Sequence, residues 1–289
     1  MRSSIVQFVQ YQVVDKVGVI TLDRGDKANA QTTALLTELD SCWDRAVADT
    51  GVNVILLQAN GRHFSAGMDL SRNDGLGSEA SSPPGSGYYN AASLHFFGNT
   101  LAWRNAPKPS IAAVQGKCVA AGLMLCWPCD LIIAADNAEF SDPTMRMGLA
   151  GIQYMAHAWE LGPRKAKEML LRSTPISAQE AEDLGMVNKV VPLADLRDEA
   201  MSWARDIACL DPTMAALIKR GINAAIDGQG FSASLTQGFD LQELGYALQA
   251  ATRASADGDG ATDLLEHMRE TNADIARRET SDTQALPRP

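Results

Sequence analysis

Gln115–Asp130 reads QGKCVAAGLMLCWPCD, and the other motifs of the chain are arranged around it. It follows an apolar run, Ser110–Val114, with the character of a buried strand. Gly116 can end that strand and turn the chain. Ala120, Ala121 and Gly122 then place almost no side chain where Leu123, Leu125 and Cys126 continue as an apolar helix. Small residues at a strand-to-helix turn leave backbone N–H groups open. With the positive end of the helix dipole, those groups can hold an oxygen that is gaining negative charge. Close helix packing is the other reading of the same residues.

A second stretch has the same form. His63-Phe64-Ser65-Ala66-Gly67-Met68-Asp69-Leu70 follows the buried-strand pattern of Asn53–Gln58 and carries its own small pair, Ala66-Gly67. Two such turns can each give one amide to a single oxygen, which makes a two-donor oxyanion hole.

Around these turns the pattern alternates. Val9–Val14 and Val17–Leu22 read as two strands joined at Asp15-Lys16, Gln31–Ala48 as an amphipathic helix, and Val54–Leu57 as a strand. Residues 71–90 are rich in Ser, Gly, Pro, Asn and Asp, so they read as an irregular insert. Helix resumes from Tyr88 to Trp103, and Leu131–Ala135 and Ala138–Phe140 are strands. Asp142-Pro143-Thr144 reads as a capped helix start. Helices at Met155–Leu161, Arg164–Arg172 and Ser177–Leu184 precede the strand Val187–Val191. From Asp195 onward the pattern is helical, with breaks at Asp211-Pro212, Gly228–Gly230 and Asp257–Gly260 and a frayed last ten residues. This is an α/β chain with a helical end. Periodicity alone leaves a doubly wound sheet open.

Composition narrows the function. The chain has 289 residues and 46% hydrophobic content, enough for one sizeable core. No apolar run reaches the ~18–20 residues of a membrane span. The net charge of −10 argues against nucleic acid and anionic membrane surfaces as partners. Five cysteines without a secretory signal fit reduced thiols, so a cytoplasmic location is expected. Cys126 and Cys129 have no neighbouring Cys or His pair to complete a metal site, and neither opens a helix as a redox pair requires. No metal is expected.

Taken together, these pieces resemble the crotonase (enoyl-CoA hydratase/isomerase) superfamily. Leu22–Arg24 with Lys27–Ala30, Phe64–Leu70, Pro109–Gly116, Cys129–Ala135, and Ser177–Ala181 with Leu184–Pro192 come in the family's order. The resemblance implies a ββα superhelical core over residues 1–194, with the insert at 71–90 as a flap over an acyl pocket. It also implies a C-terminal helical trimerisation region over 195–289, assembled as a trimer or a dimer of trimers. It implies a CoA thioester whose carbonyl lies between the amides of Ala66 and Ala121, with the helix dipole near Gly122, so that an enolate is stabilised. No cofactor beyond the CoA moiety is expected. Arg24, Lys27, Ala28, Asp69 and Leu70 are the CoA-side candidates. The net charge of −10 means that such a site must gather local cations.

The family's hydratases use two glutamates for proton transfer. Their positions here hold Met124 and Thr144, neither of which transfers a proton at neutral pH. Efficient hydration by the usual route is therefore not expected. Asp142, His157 and Glu160 are the possible substitutes. Asp142 is otherwise a helix cap, and His157 with Glu160 is otherwise a structural pair on one helix face. A non-catalytic acyl-CoA binder of the same fold is the alternative.

Overall fold

The computed structural model describes residues 7–71, 89–90, 92–257, 268–275 and 277. The stretch 72–88, the break expected after Asp257 and the last ten residues lie outside them. So does most of the 71–90 insert or flap.

Alternating residues at the start form an antiparallel pair, β1 (Val9–Val14) and β2 (Val17–Leu22). From β2 onward the sheet is parallel. It adds β3 (Val54–Ala59), β4 (Ser110–Val114), β6 (Leu131–Ala135) and β9 (Lys189–Val191), in the order β1-β2-β3-β4-β6-β9. β2, β4 and nearly all of β3 and β6 are buried, as a parallel sheet covered on both faces requires. A second sheet takes β5 (Lys117–Val119), β7 (Glu139–Ser141) and β8 (Ile176–Ser177). The two sheets account for the superhelical ββα arrangement and exclude a single doubly wound sheet.

Helix α1 (Thr33–Ala48) starts where Thr32 accepts the Leu35 amide at 3.1 Å, an N-cap. Its buried face carries Leu35, Leu36, Leu39, Trp43 and Ala46. The helix expected from Tyr88 to Trp103 is two segments, a π-helical Ala92–Gly98 and α2 (Asn99–Asn105). Trp103 of α2 stacks on Trp43 of α1 with ring centroids 5.8 Å apart.

After α3 (Leu123–Cys126) come α4 (His157–Leu161), α5 (Pro163–Arg172) and α6 (Ala178–Asp183). The C-terminal region holds α7 (Leu196–Ala208), α8 (Pro212–Gly228) and α9 (Phe231–Asp257). Two of these correct the expected boundary at residue 194. α7 buries Leu196, Ala200, Ala204 and Ala208 in one cluster with Val19, Leu56, Ile111 and Ile133 of the large sheet. It is a layer of the core, and its small residues let a helix lie close to the strands. α9 buries Leu235 and Phe239 within the chain itself, and Phe239 stacks on Phe97 at 4.8 Å. These two residues are intramolecular and are not free to form a subunit interface.

Candidate functional site

Three short segments run out of the structure side by side. An isolated parallel bridge joins Ser65 to Cys118. In the parallel pair β5–β7, Cys118 is in register with Phe140 and Val119 with Ser141. The turns that follow, Ala66–Met68, Ala120–Gly122 and Asp142–Thr144, therefore emerge from neighbouring strands, which lie ~4.8 Å apart in a sheet.

The first two turns touch backbone to backbone. A β-carbon on Gly67, whose φ is +85°, would fall 2.6 Å from the Val119 carbonyl oxygen and 3.3 Å from the Ala121 nitrogen. One on Gly122 would fall 2.7 Å from the Ser65 carbonyl oxygen. Both positions need glycine because any side chain would push the turns apart. Ala120 holds φ +47° without being glycine, a conformation that costs of order 1–3 kcal/mol and persists only where its surroundings fix it.

Two side chains that sequence reasoning missed tie this arrangement together. Gln31, fully buried, donates through Nε2 to the Ala121 carbonyl at 2.9 Å and to Ser65 Oγ at 3.3 Å. Asn29, also fully buried, donates to the carbonyls of Asn60 and His63 at 2.9 Å each, and its Oδ1 accepts the Arg24 amide at 2.9 Å. Asn29 falls within the Lys27–Ala30 motif, but its role is set by residues more than thirty positions away.

The expected donor Ala66 needs correction. Its N–H donates to the Ala28 carbonyl at 2.8 Å, so it is engaged. The Gly67 N–H donates to Ser65 Oγ at 3.2 Å. The Met68 amide makes no hydrogen bond among the described residues, although its neighbour Asp69 donates to the Gln31 carbonyl at 2.8 Å. The Ala121 amide, in the first turn of the short helix Ala120–Gly122, likewise has no acceptor among them. The open pair is Met68 with Ala121.

Arg24 is corrected as well. Its Nη1 pairs with Asp69 Oδ2 at 2.6 Å and donates to the Ala30 carbonyl at 2.9 Å, and both partners' side chains are about nine-tenths buried. Burial alone would raise the Asp69 carboxyl. Hydrogen bonds from Ser71 and the Arg24 guanidinium hold it below the usual carboxylate range instead. Arg24 and Asp69 thus brace the first loop and leave no charge over for a ligand. Lys27 is exposed and makes no ion pair among the described residues, Ala28 and Leu70 are half-buried, and Gly122 is buried. Arg62 is exposed on the adjoining loop, where Gly61 lies against Gly25. The His63 imidazole is pushed down first by burial and then by the Arg62 and Lys117 charges.

At the two glutamate positions, Met124 is 1% exposed within the hydrophobic core. Thr144 donates its hydroxyl to Asp142 Oδ1 at 2.6 Å and its amide to the same oxygen at 3.1 Å. Asp142 therefore caps the next turn, as expected. Its other oxygen, Oδ2, lies 3.0 Å from His157 Nε2, with both side chains buried. The structure pairs His157 with Asp142 and not with Glu160. Glu160 is half-buried, and its carboxyl is pushed up to about 7 by desolvation, against a smaller opposing pull from Arg104. His157 Nδ1 is buried without a partner among the described residues, a cost of about 1–3 kcal/mol where none is supplied. Burial, followed by the neighbouring Cys118, pushes the Cys126 thiol up, so it is inert as a nucleophile. No cluster of metal ligands occurs among the described residues, and none of their helices is long and apolar enough to cross a membrane.

The enoyl-CoA hydratase/isomerase family profile matches residues 13–254. EchA13 of Mycobacterium tuberculosis, whose name places it among the enoyl-CoA hydratases, is 41% identical over 259 residues, 83% of this chain and 81% of its own. The crystal structure of a probable enoyl-CoA hydratase from Mycobacterium thermoresistibile superposes with a TM-score of 0.79 at 45% identity, over 85% of this chain and 99% of that one. An enoyl-CoA hydratase/isomerase from Xanthobacter autotrophicus Py2 gives 0.79 at 30% identity, over 98% and 99%. With its ββα sheets, its paired turns and a match across most of its length, the chain belongs to the enoyl-CoA hydratase/isomerase family.

Proposed function

We propose that the protein binds an acyl- or enoyl-CoA thioester with its carbonyl oxygen between the amides of Met68 and Ala121, and that it stabilises the enolate formed there. The observation that carries this reading is the pair of unengaged amides on turns in backbone contact. One such donor is worth about 10²–10³ in rate. Lys27 and Arg62 are the cations for the CoA phosphates, and no further cofactor is required. Enolate chemistry favours α-proton transfer and isomerisation. Hydration is slow because Met124 offers no acid or base. The non-catalytic binder remains the rival, and turnover separates the two.

The protein assembles as a homo-oligomer through α8. Met214, Leu217, Ile218 and Ile222 recur at helical spacing on that helix, and each is more than half exposed.

Calorimetric titration with butyryl-CoA and with S-butyl-CoA, which lacks the carbonyl, tests the thioester reading. Butyryl-CoA should bind at least ~10-fold tighter, the equivalent of one charge-free hydrogen-bond pair. Equal affinities would remove the carbonyl site from the account.

A further inference from the structure

The parallel register Val119↔Ser141 sets Asp142–Thr144 beside the turn Ala120–Gly122. The helix leaving that turn carries Ala121, Met124 and Trp127 at intervals of three, so they share a face. Trp127 meets the His157 ring edge-on at 4.8 Å. One face thus leads from the oxyanion turn to a buried cluster in which every contact of Asp142 is a donor. Thr144 Oγ and the Thr144 amide reach Oδ1, and His157 Nε2 reaches Oδ2.

The Thr144 hydroxyl spends its proton on Asp142 and presents only lone pairs elsewhere. Asp142 itself is fully buried, with His157 covering its second oxygen. A helix cap needs the Oδ1 contacts alone. It does not need a histidine on Oδ2.

We propose that Asp142 is the base for the thioester α-proton, reached through the Thr144 hydroxyl, which has no acid–base capacity of its own at neutral pH and serves only as a relay, and that His157 positions Asp142. The proposal rests on the thioester reading above. The Cα–H bond breaks and its proton passes to Thr144 Oγ as the hydroxyl's own proton moves to Asp142 Oδ1. The electron pair left behind is held as the enolate oxygen between the Met68 and Ala121 amides. The reverse sequence returns a proton to carbon, and no other reactant is consumed. A single relay of this kind serves enolisation or isomerisation without the second carboxylate that hydration requires.

The test follows α-proton exchange of butyryl-CoA in D₂O by NMR on the full chain, with butyryl-CoA affinity measured alongside by calorimetry. Thr144→Val keeps the shape and loses the hydroxyl. It should lose at least ~10²-fold in exchange rate while affinity stays within about threefold, and Thr144→Ser should stay within about tenfold of wild type. Asp142→Asn should fall with Thr144→Val if it folds; the Val/Ser pair decides the matter if it does not. His157→Gln, which still offers Asp142 a donor, should lose less than Asp142→Asn. Wild-type exchange by Thr144→Val, or a wild-type protein that binds butyryl-CoA and exchanges nothing, would overturn the relay while leaving the thioester reading intact. A wild-type protein that binds no butyryl-CoA would overturn that reading and the relay with it.

Discussion

Gly67 and Ala121 lie in backbone contact, with a β-carbon on Gly67 falling 3.3 Å from the Ala121 nitrogen and 2.6 Å from the carbonyl oxygen of Val119. That contact makes two distant segments into one site. Gly67→Ala should therefore destabilise the fold by at least about 1–3 kcal/mol from its positive φ alone, with the overlap adding to it. Gly122→Ala, at an ordinary φ of −60°, isolates the overlap with the Ser65 carbonyl. Urea unfolding should show a lower midpoint for both, and calorimetry weaker butyryl-CoA binding. Unchanged midpoints would mean that the turns are not packed this closely.

The Arg24–Asp69 pair braces the first loop from inside. Asp69→Ala leaves a buried guanidinium unpaired and should cost about 3–5 kcal/mol. The pH dependence has a definite sign. The folded carboxyl of Asp69 lies below its ordinary range, so its contribution is present above the unfolded carboxylate value. It is lost as pH falls through the folded one. Unfolding free energy should drop on acidification below about pH 4, and Asp69→Asn should flatten that slope. A variant with the wild-type slope would place the acid sensitivity elsewhere.

Much of this site is legible in the chain. The small residues at Ala66-Gly67 and Ala120–Gly122 announce two turns, and Ala121 follows from the second. Met68 does not, because an amide is open only when nothing nearby accepts it. Ala66 is closed by Ala28, a partner 38 positions earlier that no local pattern reveals. Arg24 reads as a surface cation until Asp69, 45 residues on, is seen against it. The cap at Asp142 is local and readable, whereas its second oxygen belongs to His157, 15 residues away across a loop. Helix spacing suggested Glu160 for that histidine, and tertiary packing overrode it. α7 reads as the start of a helical appendage because its buried residues include Ala200, Ala204 and Ala208. Their small size is what close packing on the sheet requires, but it gives a weak hydrophobic signal.

Crotonyl-CoA hydration should be slow. It needs a second proton-transferring group, worth about 10²–10⁴ in rate, and Met124 is an apolar core residue. Loss of the enoyl thioester absorbance should run at least ~10²-fold slower than α-proton exchange in butyryl-CoA under the same conditions. Hydration at or above the exchange rate would show a second acid–base group that this account does not contain.

The apolar stripe on α8 should be covered in solution. Ile218, 63% exposed, sits in the middle of it. Ile218→Glu should convert an oligomer to a monomer in light scattering without lowering the secondary-structure signal, since its side chain makes no part of the core. A wild-type protein that is already monomeric, or an oligomer unaffected by the change, would count against α8 as the interface.

On the proposed reading, the Met68 and Ala121 amides polarise a thioester carbonyl. Infrared difference spectroscopy on bound, carbonyl-labelled butyryl-CoA reads that polarisation directly. The carbonyl stretch should move to lower frequency on binding, and Met68→Pro, which removes the donor outright, should abolish most of the shift. A bound carbonyl at its solution frequency, or an undiminished shift in Met68→Pro, would contradict that reading.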